Sequence, residues 1–595
     1  MLRMKNLRTY FRGFTGTVTR FHITILFLFA AAVWNAVMIV TEASDPVLLC
    51  TFYIGAAVFA VLQMICEYYS HNKAFRLFSA ALSLIAAFSY YLIYRNQELT
   101  TEPSIKTMVF LFLLGILFLW IPSIGSETEF NESFMAAFKA FFMAVFFSGI
   151  LFLGTALVLA AIDMLIVPIS SSSYAHAANI IFILYAPLYF LSLIPEYQGG
   201  KTMEKSRADG DDSSGNKFAA EAGNAPKFLV SLLSYVIIPV TALFTIILLI
   251  YILINITDEF WTDSLLEPLL VTYSITVIIV YLLVSRLVNP IADGFRRIFP
   301  KILVPVVLFQ TLSSLLRIGN EGITYGRYYV IIFGIFATAA GLLFCFVPVE
   351  KNGLIAPVLI ILSLVSILPP VDAFTVSRSS QSGRLKSVLT RNHMLSGNVI
   401  TPNPNLSEED RRILSAAVAY LDRMAYSEDF DWLATYRKSY NFNETFGFYK
   451  DGLISKDYQS LYLYLEPEAV IDISGYDFFR ETSIYENGMN RRVGAFRMED
   501  RSFTLRYESK ERENAYLLLE EDGKELLRLP VNDVYHRFGS GVQGSRSAEI
   551  TPEEARFTAE NEEAVLTLIA RTININNWQE GRELQAEAYI LVKIK

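Results

Sequence analysis

Cysteine, histidine and charge are all scarce in this chain of 595 residues. The cysteines are Cys50, Cys66 and Cys345, so the chain beyond Cys345 has none, which excludes a disulfide framework or a cysteine-based metal site there. The five histidines do not lie at metal-ligand spacing from one another or from acids. We therefore predict no metal and no cofactor, and no catalytic residues can be named.

An excess of positive charge is also lacking. The formal net charge is −8, and most of it lies beyond Ser377. Phosphate neutralisation needs a basic face, so this balance excludes nucleic acid as a partner. Charged residues make up only 18% of the chain, below the ~25% usual for soluble proteins.

Long apolar blocks are what the chain has instead. Hydrophobic residues make up 53% of it, and its mean hydropathy is +0.39. A spanning helix needs ~20 mostly apolar residues. The blocks between Phe21 and Phe374 predict about eleven spans, near 22–41, 47–66, 75–94, 106–124, 136–162, 177–194, 227–255, 265–285, 301–317, 327–348 and 354–373.

The chain after these blocks changes in character. We predict a polytopic transmembrane helical domain over 1–375, with a flexible cytoplasmic loop at 196–226, a helical connector over 376–440, and a soluble domain over 441–595. Residues beyond about 459 alternate with a period of two, which predicts strands. The fold class is therefore a membrane α-helical bundle plus a C-terminal soluble α+β, strand-rich domain.

Local signals in the soluble part are specific. Ser407, three residues before Asp410, predicts an N-cap for a helix. Asp522-Gly523 predicts a hairpin turn, because Gly tolerates a positive φ, and Thr551-Pro552 predicts a short helix. Predicted strands are Leu461–Leu465, Ala469–Ile473, Phe503–Tyr507, Tyr516–Leu519, Leu526–Leu529, Val565–Ile575 and Leu584–Ile594.

The distribution of Lys and Arg predicts the orientation. Cations are frequent before the first span and in every second loop after it, while several alternate loops are purely acidic. This bias places the N-terminus in the cytoplasm and, with eleven spans, the C-terminal domain outside it. If the ninth block, which contains Pro305 and Gln310, is re-entrant, ten spans place that domain inside. The four cations Arg378, Arg384, Lys386 and Arg391 favour this second alternative.

Four residues are candidates for a functional site. Asp163 lies in an otherwise apolar run, and a carboxylate inside a membrane is costly unless it serves a function or reaches water near a helix end. The segment RIGNEGITYGRYY, from Arg317 to Tyr329, contains Arg317, Glu321 and Arg327 between two spans. These three charges could pair, bind an anion, or anchor an interfacial turn.

The same segment carries a resemblance. RIGNEGITYGRYYV, the Trp120-Ile121-Pro122 end of the fourth span and FTVSRSSQSGRLKSVLTRNHML after the last span resemble the bacterial DUF4153 family of multi-pass membrane proteins. That family usually has an aromatic residue before its Gly-Ile-Thr, where this chain has Glu321. The resemblance implies a bacterial cell-membrane protein and supplies no activity.

Three functions are compatible with these features. The first is a non-enzymatic protein that anchors or senses through an extracytoplasmic C-terminal domain, with the lipid bilayer and an envelope component or partner protein as its partners. The second is a membrane transporter of a small or lipid-like solute, with Asp163 and the Arg317–Arg327 turn lining its path. An enzyme acting on lipid-linked substrates has least support, because no paired carboxylates or His–acid set is visible.

Overall fold

The fold divides into two compact units. Unit 1 comprises Met1–Val399 and Ala416–Arg437, and unit 2 comprises Ile400–Ser415 and Lys438–Lys595. The computed structural model describes residues 16–41, 44–69, 73–96, 99–125, 128–197, 222–255, 266–439, 442–448, 459–466, 468–485, 490–509, 515–538, 545–578 and 581–595. The part of the predicted cytoplasmic loop from 198 to 221 lies outside the described residues.

Unit 1 contains a bundle of apolar helices. In the described part of the chain, eleven helices are long and apolar enough to cross a membrane, which confirms the predicted bundle. Its helices are α1 His22–Thr41, α2 Pro46–Tyr69, α3 Lys73–Tyr94, α4 Thr101–Trp120, α5 Phe130–Leu165, α6 Ser172–Asn179, π1 Ile180–Tyr185, α7 Ala186–Leu193, α8 Lys227–Leu232, π2 Leu233–Ile237, α9 Ile238–Asn255, α10 Leu266–Val284, α11 Pro290–Glu321, α12 Tyr325–Phe346 and α13 Ile355–Ile367.

Two of the spans contain a π-helical turn. The turns π1 and π2 are each followed, at the second residue of the next α-helix, by a proline, Pro187 and Pro239. Proline has no N–H to donate, and its ring clashes with the carbonyl one turn earlier. A widened turn relieves that clash and keeps the span continuous.

The ninth span is longer than the sequence predicts. The prediction was 301–317, but α11 runs from Pro290 to Glu321 as one helix with Pro300 and Pro305 inside it. Its start is fixed by Asn289, whose side chain accepts a hydrogen bond from the Ala292 amide at 2.8 Å. At this length the helix counts as a full candidate span, so the described helices give eleven candidates and not ten.

Small residues allow α11 and α12 to approach closely. A Cβ added at Gly341 would lie 2.8 Å from a methyl group of Val304, and one added at Gly334 would collide with the Thr311 hydroxyl. The two glycines are seven residues apart, so they lie on the same face of α12. Close backbone approach through small residues is the usual way that membrane helices associate.

The chain after the last span forms short helices and then strands. They are α14 Ala373–Arg391, β1 Leu395–Ser396, β2 Val399–Ile400, α15 Glu408–Arg423, α16 Ala434–Ser439, α17 Phe442–Phe446, β3 Gln459–Leu465, β4 Phe478–Tyr485, β5 Arg491–Met498, β6 Arg501–Ser509, β7 Ala515–Glu521, β8 Lys524–Pro530, α18 Asn532–Phe538, β9 Ser545–Ile550, β10 Arg556–Glu560, β11 Ala564–Trp578 and β12 Gly581–Ile594. This strand content confirms the predicted fold class of the C-terminal part.

Unit 2 is built on two sheets that share one hydrophobic core. One sheet has the order β4-β12-β11-β3-β9, with β10 also pairing with β11, and the other is the meander β5-β6-β7-β8. Strands β3 and β9 are parallel, and the other described pairs are antiparallel. Fully buried residues of both sheets, such as Leu517 and Ile590, belong to the same core cluster. The arrangement is a two-layer stack.

Most local predictions for unit 2 are confirmed. Ser407 accepts a hydrogen bond from the Asp410 amide at 3.1 Å, as an N-cap should. Asp522 and Gly523 join β7 to β8 with φ values of 47° and 81°, as a tight hairpin turn requires. Two predictions are wrong: Ala469–Ile473 contains no strand, and the chain after Thr551 forms turns instead of a helix.

Candidate functional site

The helix that follows the last span begins at a buried carboxylate. Asp372 is fully buried, and its Oδ1 accepts hydrogen bonds from the backbone amides of Phe374 at 3.0 Å and Thr375 at 3.1 Å. Its Oδ2 accepts a hydrogen bond from the Thr375 hydroxyl at 2.6 Å. Aspartate suits this position because it satisfies free amides and faces the positive end of the helix dipole. Asp372 thereby fixes where α14 starts.

A lysine from the fourth span neutralises this carboxylate. The Lys106 Nζ lies 3.2 Å from Asp372 Oδ1 and 2.7 Å from the carboxylate of Glu102, one turn earlier in α4. The other Glu102 oxygen accepts a hydrogen bond from the Tyr426 hydroxyl at 2.7 Å. We call Glu102, Lys106, Asp372 and Tyr426 the Lys106 cluster. It joins α4, the start of α14 and the 3-10 turn Tyr426–Asp429.

The environment of the cluster shifts two pKa values. Burial alone would raise the pKa of Asp372, but the hydrogen bonds from Thr375 and the charge of Lys106 outweigh burial and hold that pKa below its ordinary value. Burial, together with the hydrogen bond to the Glu102 carboxylate, raises the pKa of Tyr426. At neutral pH Asp372 is therefore an anion and Tyr426 a neutral donor.

An arginine of α14 adds an outer contact. The Arg378 guanidinium lies 2.8 Å from the Asp429 carboxylate and 5.2 Å from the centre of the Tyr426 ring. Burial would lower the pKa of Arg378, but the Asp429 carboxylate outweighs burial and raises it. Both side chains of this ion pair remain partly exposed to solvent. A pair of this exposure contributes at most about 1 kcal/mol to stability.

The second part of the site is the turn between α11 and α12, which we call the Gly322 turn (Glu321–Thr324). Gly322 ends α11 with φ +73°, and its amide donates to the Ile318 carbonyl at 2.9 Å. A side chain here would be strained by that φ, and its Cβ would lie 2.6 Å from Cδ of Arg384. The Thr324 hydroxyl then accepts from the Arg327 amide at 3.3 Å and starts α12.

Charges and amides hold the Gly322 turn against α14. The buried Arg327 guanidinium donates to the Gly322 carbonyl at 2.8 Å and to the Glu321 carboxylate at 2.6 Å. The Gln381 amide donates to the carbonyls of Glu321 at 3.0 Å and Ile323 at 3.2 Å. Arg384 donates to the Gly319 carbonyl at 2.9 Å. Cations at a helix C-terminus bind carbonyls that lack a partner within the helix.

Tyr420 joins the start of α12 to α14. Its hydroxyl accepts a hydrogen bond from the Tyr325 amide at 3.1 Å and donates to the Ser377 hydroxyl at 2.8 Å. The Tyr325 ring also stacks on Phe374, with ring centres 5.4 Å apart. We call the Lys106 cluster, the Gly322 turn and Tyr420 together the polar belt around α14.

The structure brings together some of the candidate residues. Glu321 and Arg327 form an ion pair, and Arg317 is buried in α11. Asp163 belongs neither to the Lys106 cluster nor to the Gly322 turn: it is exposed in the last turn of α5, where its carboxylate accepts a hydrogen bond from the Ile169 amide at 2.6 Å.

Sequence reasoning missed the Lys106 cluster. A usable signal existed in the i,i+4 spacing of Glu102 and Lys106 at the start of an apolar span, and in Asp372 just before a helix. No spacing rule relates Lys106 to Asp372, because they lie far apart in the chain.

The side chains of the polar belt hold α14 against the bundle. In the described residues no three His, Cys, Asp or Glu side chains are grouped to hold a metal ion. The charged groups of the Lys106 cluster bind one another, backbone amides and the hydroxyl groups of Thr375 and Tyr426. The arrangement fixes α14, the helix that follows the last candidate span, to three separate parts of the bundle.

Comparison with known proteins gives one match. A family model described as "Domain of unknown function (DUF4153)" matches residues 27–400, more than half of the chain. The matched region includes the Lys106 and Asp372 ion pair and the Gly322 turn. No curated protein and no solved structure matches the chain.

Proposed function

This chain belongs to the DUF4153 family, and because that description carries no activity we propose a function from the geometry: a non-enzymatic anchor or sensor in a bacterial cell membrane. In this proposal residues 1–375 form the membrane domain, 376–440 the connector and 441–595 a binding domain on the extracytoplasmic side. The binding domain recognises an envelope component or a partner protein, and the connector passes its bound state to the bundle.

The observation that carries the proposal is the ion pair between Lys106 and the fully buried Asp372. A helix meant only as a tether would need no such contact, because burying a charge is costly unless it is paired. Asp372 at the start of α14 pairs with α4, Gln381 and Arg384 bind the end of α11, and Phe374 stacks on Tyr325 of α12. Movement of the connector would therefore be transmitted to several spans.

The orientation is supported by charge and by the number of spans. Eleven candidate spans place the two ends of the bundle on opposite sides, if each one crosses the membrane. The loops on the side of Arg286 and Lys351 carry more Lys and Arg than those on the side of the Gly322 turn. Cation-rich loops stay in the cytoplasm, so the Gly322 turn and the binding domain face outward.

The outer face of the six-stranded sheet is our candidate binding surface. Tyr462 and Tyr464 of β3 alternate with the core residues Leu461 and Leu463, so their rings point away from the core, and Tyr462 is 46% exposed. Across the sheet, Phe479 is 48% exposed and packs on Tyr589, with ring centres 5.4 Å apart.

A charged group completes this surface. Arg571 forms ion pairs with Glu481 at 2.9 Å and Glu587 at 2.5 Å. Exposed aromatic rings beside an arginine are the residues that most often dominate binding energy at protein surfaces.

Sidedness is tested by cysteine labelling in intact cells. Ser474→Cys places a thiol on an exposed residue of the binding domain, and Lys351→Cys places one on the loop assigned to the opposite side. We expect a membrane-impermeant maleimide to label Ser474→Cys in intact cells and Lys351→Cys only after lysis. The reverse pattern would overturn the extracytoplasmic assignment.

Binding is tested with a photoreactive amino acid in the full-length protein in cells. It is placed at Tyr462 and at Phe479, with exposed Arg528 of β8 as the control in the other sheet. We expect both test positions to crosslink to the same envelope component and the control to give none. Equal crosslinking from all three positions, or none from any, would refute this binding surface.

A further inference from the structure

A polar cavity lies at the other end of the bundle, away from the belt around α14. It has a volume of about 600 Å³ and is enclosed by the start of α5, by α8 and π2, and by the end of α10 with the residues that follow it. Hydroxyl groups of Ser231, Ser234 and Ser285 line it, together with the amide of Asn289. Its polar lining contrasts with the apolar core cluster formed by the neighbouring helices.

Two cations line the cavity. Lys227 is exposed to it and forms no ion pair or hydrogen bond with a residue in the described ranges. Arg286 also lines it and forms ion pairs with Glu132 and, at 3.9 Å, with Glu129. These two carboxylates do not line the cavity. Within the described ranges the Lys227 ammonium therefore has no anionic partner, and Arg286 is held at the cavity wall by Glu129 and Glu132.

The rim of the cavity is apolar and exposed. Val288 is 97% exposed and Tyr235 is 71% exposed, and both line the cavity mouth; Phe228, next to Lys227, is 77% exposed. A free inorganic anion gains nothing from such side chains. An amphiphile gains from the polar cavity and from the apolar rim. Its headgroup enters the cavity while its chains cover the apolar side chains at the membrane interface.

One wall of the cavity contains a π-helical turn. Ser234 and Tyr235 belong to π2, the widened turn that precedes Pro239. A π-helical turn shifts the side chains after it around the helix, and such turns are often found at functional sites. Ser234 Oγ accepts a hydrogen bond from the Asn289 amide at 3.1 Å, and its own proton has no acceptor among the residues that the structure describes.

We propose that this cavity binds the headgroup of an anionic phospholipid. The phosphate accepts from Lys227 and Arg286, and the hydroxyl groups of a glycerol-type headgroup bond to Ser231, Ser234 and Ser285. Lysine and arginine near a membrane surface attract anionic lipids, and their bidentate or multiple donors suit phosphate oxygens. The acyl chains lie along Tyr235 and Val288.

The test measures lipid binding to the purified full-length protein in detergent. Short-chain phosphatidylglycerol is the probe, with phosphatidylcholine of the same chain length and free glycerol phosphate as comparisons. Lys227→Gln removes one of the two cations that line the cavity, and Lys351→Gln removes an exposed cation from outside it. Ser231→Phe fills the cavity without changing its charge.

We expect phosphatidylglycerol to bind more tightly than phosphatidylcholine, and Lys227→Gln to weaken that binding about fivefold. Ser231→Phe should weaken it too, while Lys351→Gln should leave it unchanged. Equal binding of the two lipids, or wild-type binding by both cavity variants, would overturn the site. Binding of glycerol phosphate as tight as that of the lipid would overturn the lipid assignment.

Discussion

Lys106 of α4 and Asp372 at the start of α14 form an ion pair, with the Nζ and Oδ1 atoms 3.2 Å apart and the carboxylate fully buried. One residue belongs to the first half of the bundle and the other follows its last span. The pair therefore joins parts of the chain that no local interaction could bring together. Variants of Lys106 and Asp372 therefore test the role of the polar belt around α14.

Removing the cation should destabilise the protein. Lys106→Met leaves Asp372 as a buried charge without its partner, and breaking a buried pair on one side costs about 3 kcal/mol. We expect a clear fall in the Tm of the purified full-length protein in detergent. Lys351→Met, which removes an exposed lysine, should leave Tm unchanged. Lys106→Met with the Tm of the wild type would show that the pair contributes nothing.

Acid should weaken the same contact. Because the pKa of Asp372 is lowered in the folded state, its stabilisation is present above the ordinary value of 3.8 and is lost as pH falls through the lower folded pKa. The Tm difference between the wild type and Asp372→Asn should be constant from pH 5 to neutral pH and shrink below about pH 4. A difference that grows on acidification would contradict this sign.

The Gly322 turn should reject a side chain. Gly322→Ala forces an L-residue to φ +73° and places its Cβ 2.6 Å from Arg384, so we expect a loss of about 1–2 kcal/mol in unfolding free energy. Gly319→Ala is the matched control, since Gly319 is helical with open space around its Cβ. That control should be neutral or slightly stabilising. Equal losses in both variants would refute the specific role of the turn.

Replacing Gln310 should stabilise the protein, whereas the preceding variants should destabilise it. Its side chain is fully buried in α11, and neither its amide nitrogen nor its oxygen has a hydrogen-bond partner in the described part of the chain. Gln310→Leu should raise the unfolding free energy by about 1–3 kcal/mol, because it removes an unsatisfied polar group.

The matched control for Gln310 is Gln63→Leu. The Gln63 amide is buried but donates to Glu67 at 2.9 Å, so this variant should lower Tm. A lower Tm for Gln310→Leu as well would mean that Gln310 has a partner, such as bound water, that stabilises it.

The sequence predicts the spans well because apolar length is a local property. The ninth span shows the limit of that signal. Its start at Pro290 was missed since Asp293, Arg296, Arg297 and Lys301 make the first three turns polar, and Pro300 and Pro305 usually end helices. Arg296 donates to the carbonyls of Ser285 and Leu287 at 3.0 and 2.9 Å, so its charge is accommodated by a neighbouring helix end.

The strands and the candidate site are harder to predict from the sequence, because they depend on contacts between distant residues. Strands β4 and β5 were missed because Arg480, Glu481, Arg491 and Arg492 interrupt the alternation of apolar residues. The Arg327–Glu321 ion pair was foreseeable from six-residue spacing across a glycine turn. The Lys106 cluster as a whole could not be predicted in this way. Only the Glu102–Lys106 spacing is local, and the other members meet it after the bundle has assembled.

The order of synthesis gives the Lys106–Asp372 pair a further consequence. A ribosome makes α4 long before Asp372, so Lys106 enters the bilayer with only Glu102 to offset its charge. Its final partner arrives when the last span has been inserted. Until then the Glu102–Lys106 pair lacks its contact with the start of α14, and a chain stalled before Asp372 would present that pair without the helix it holds. The contact is therefore complete only when every span that precedes Asp372 in the chain has been made.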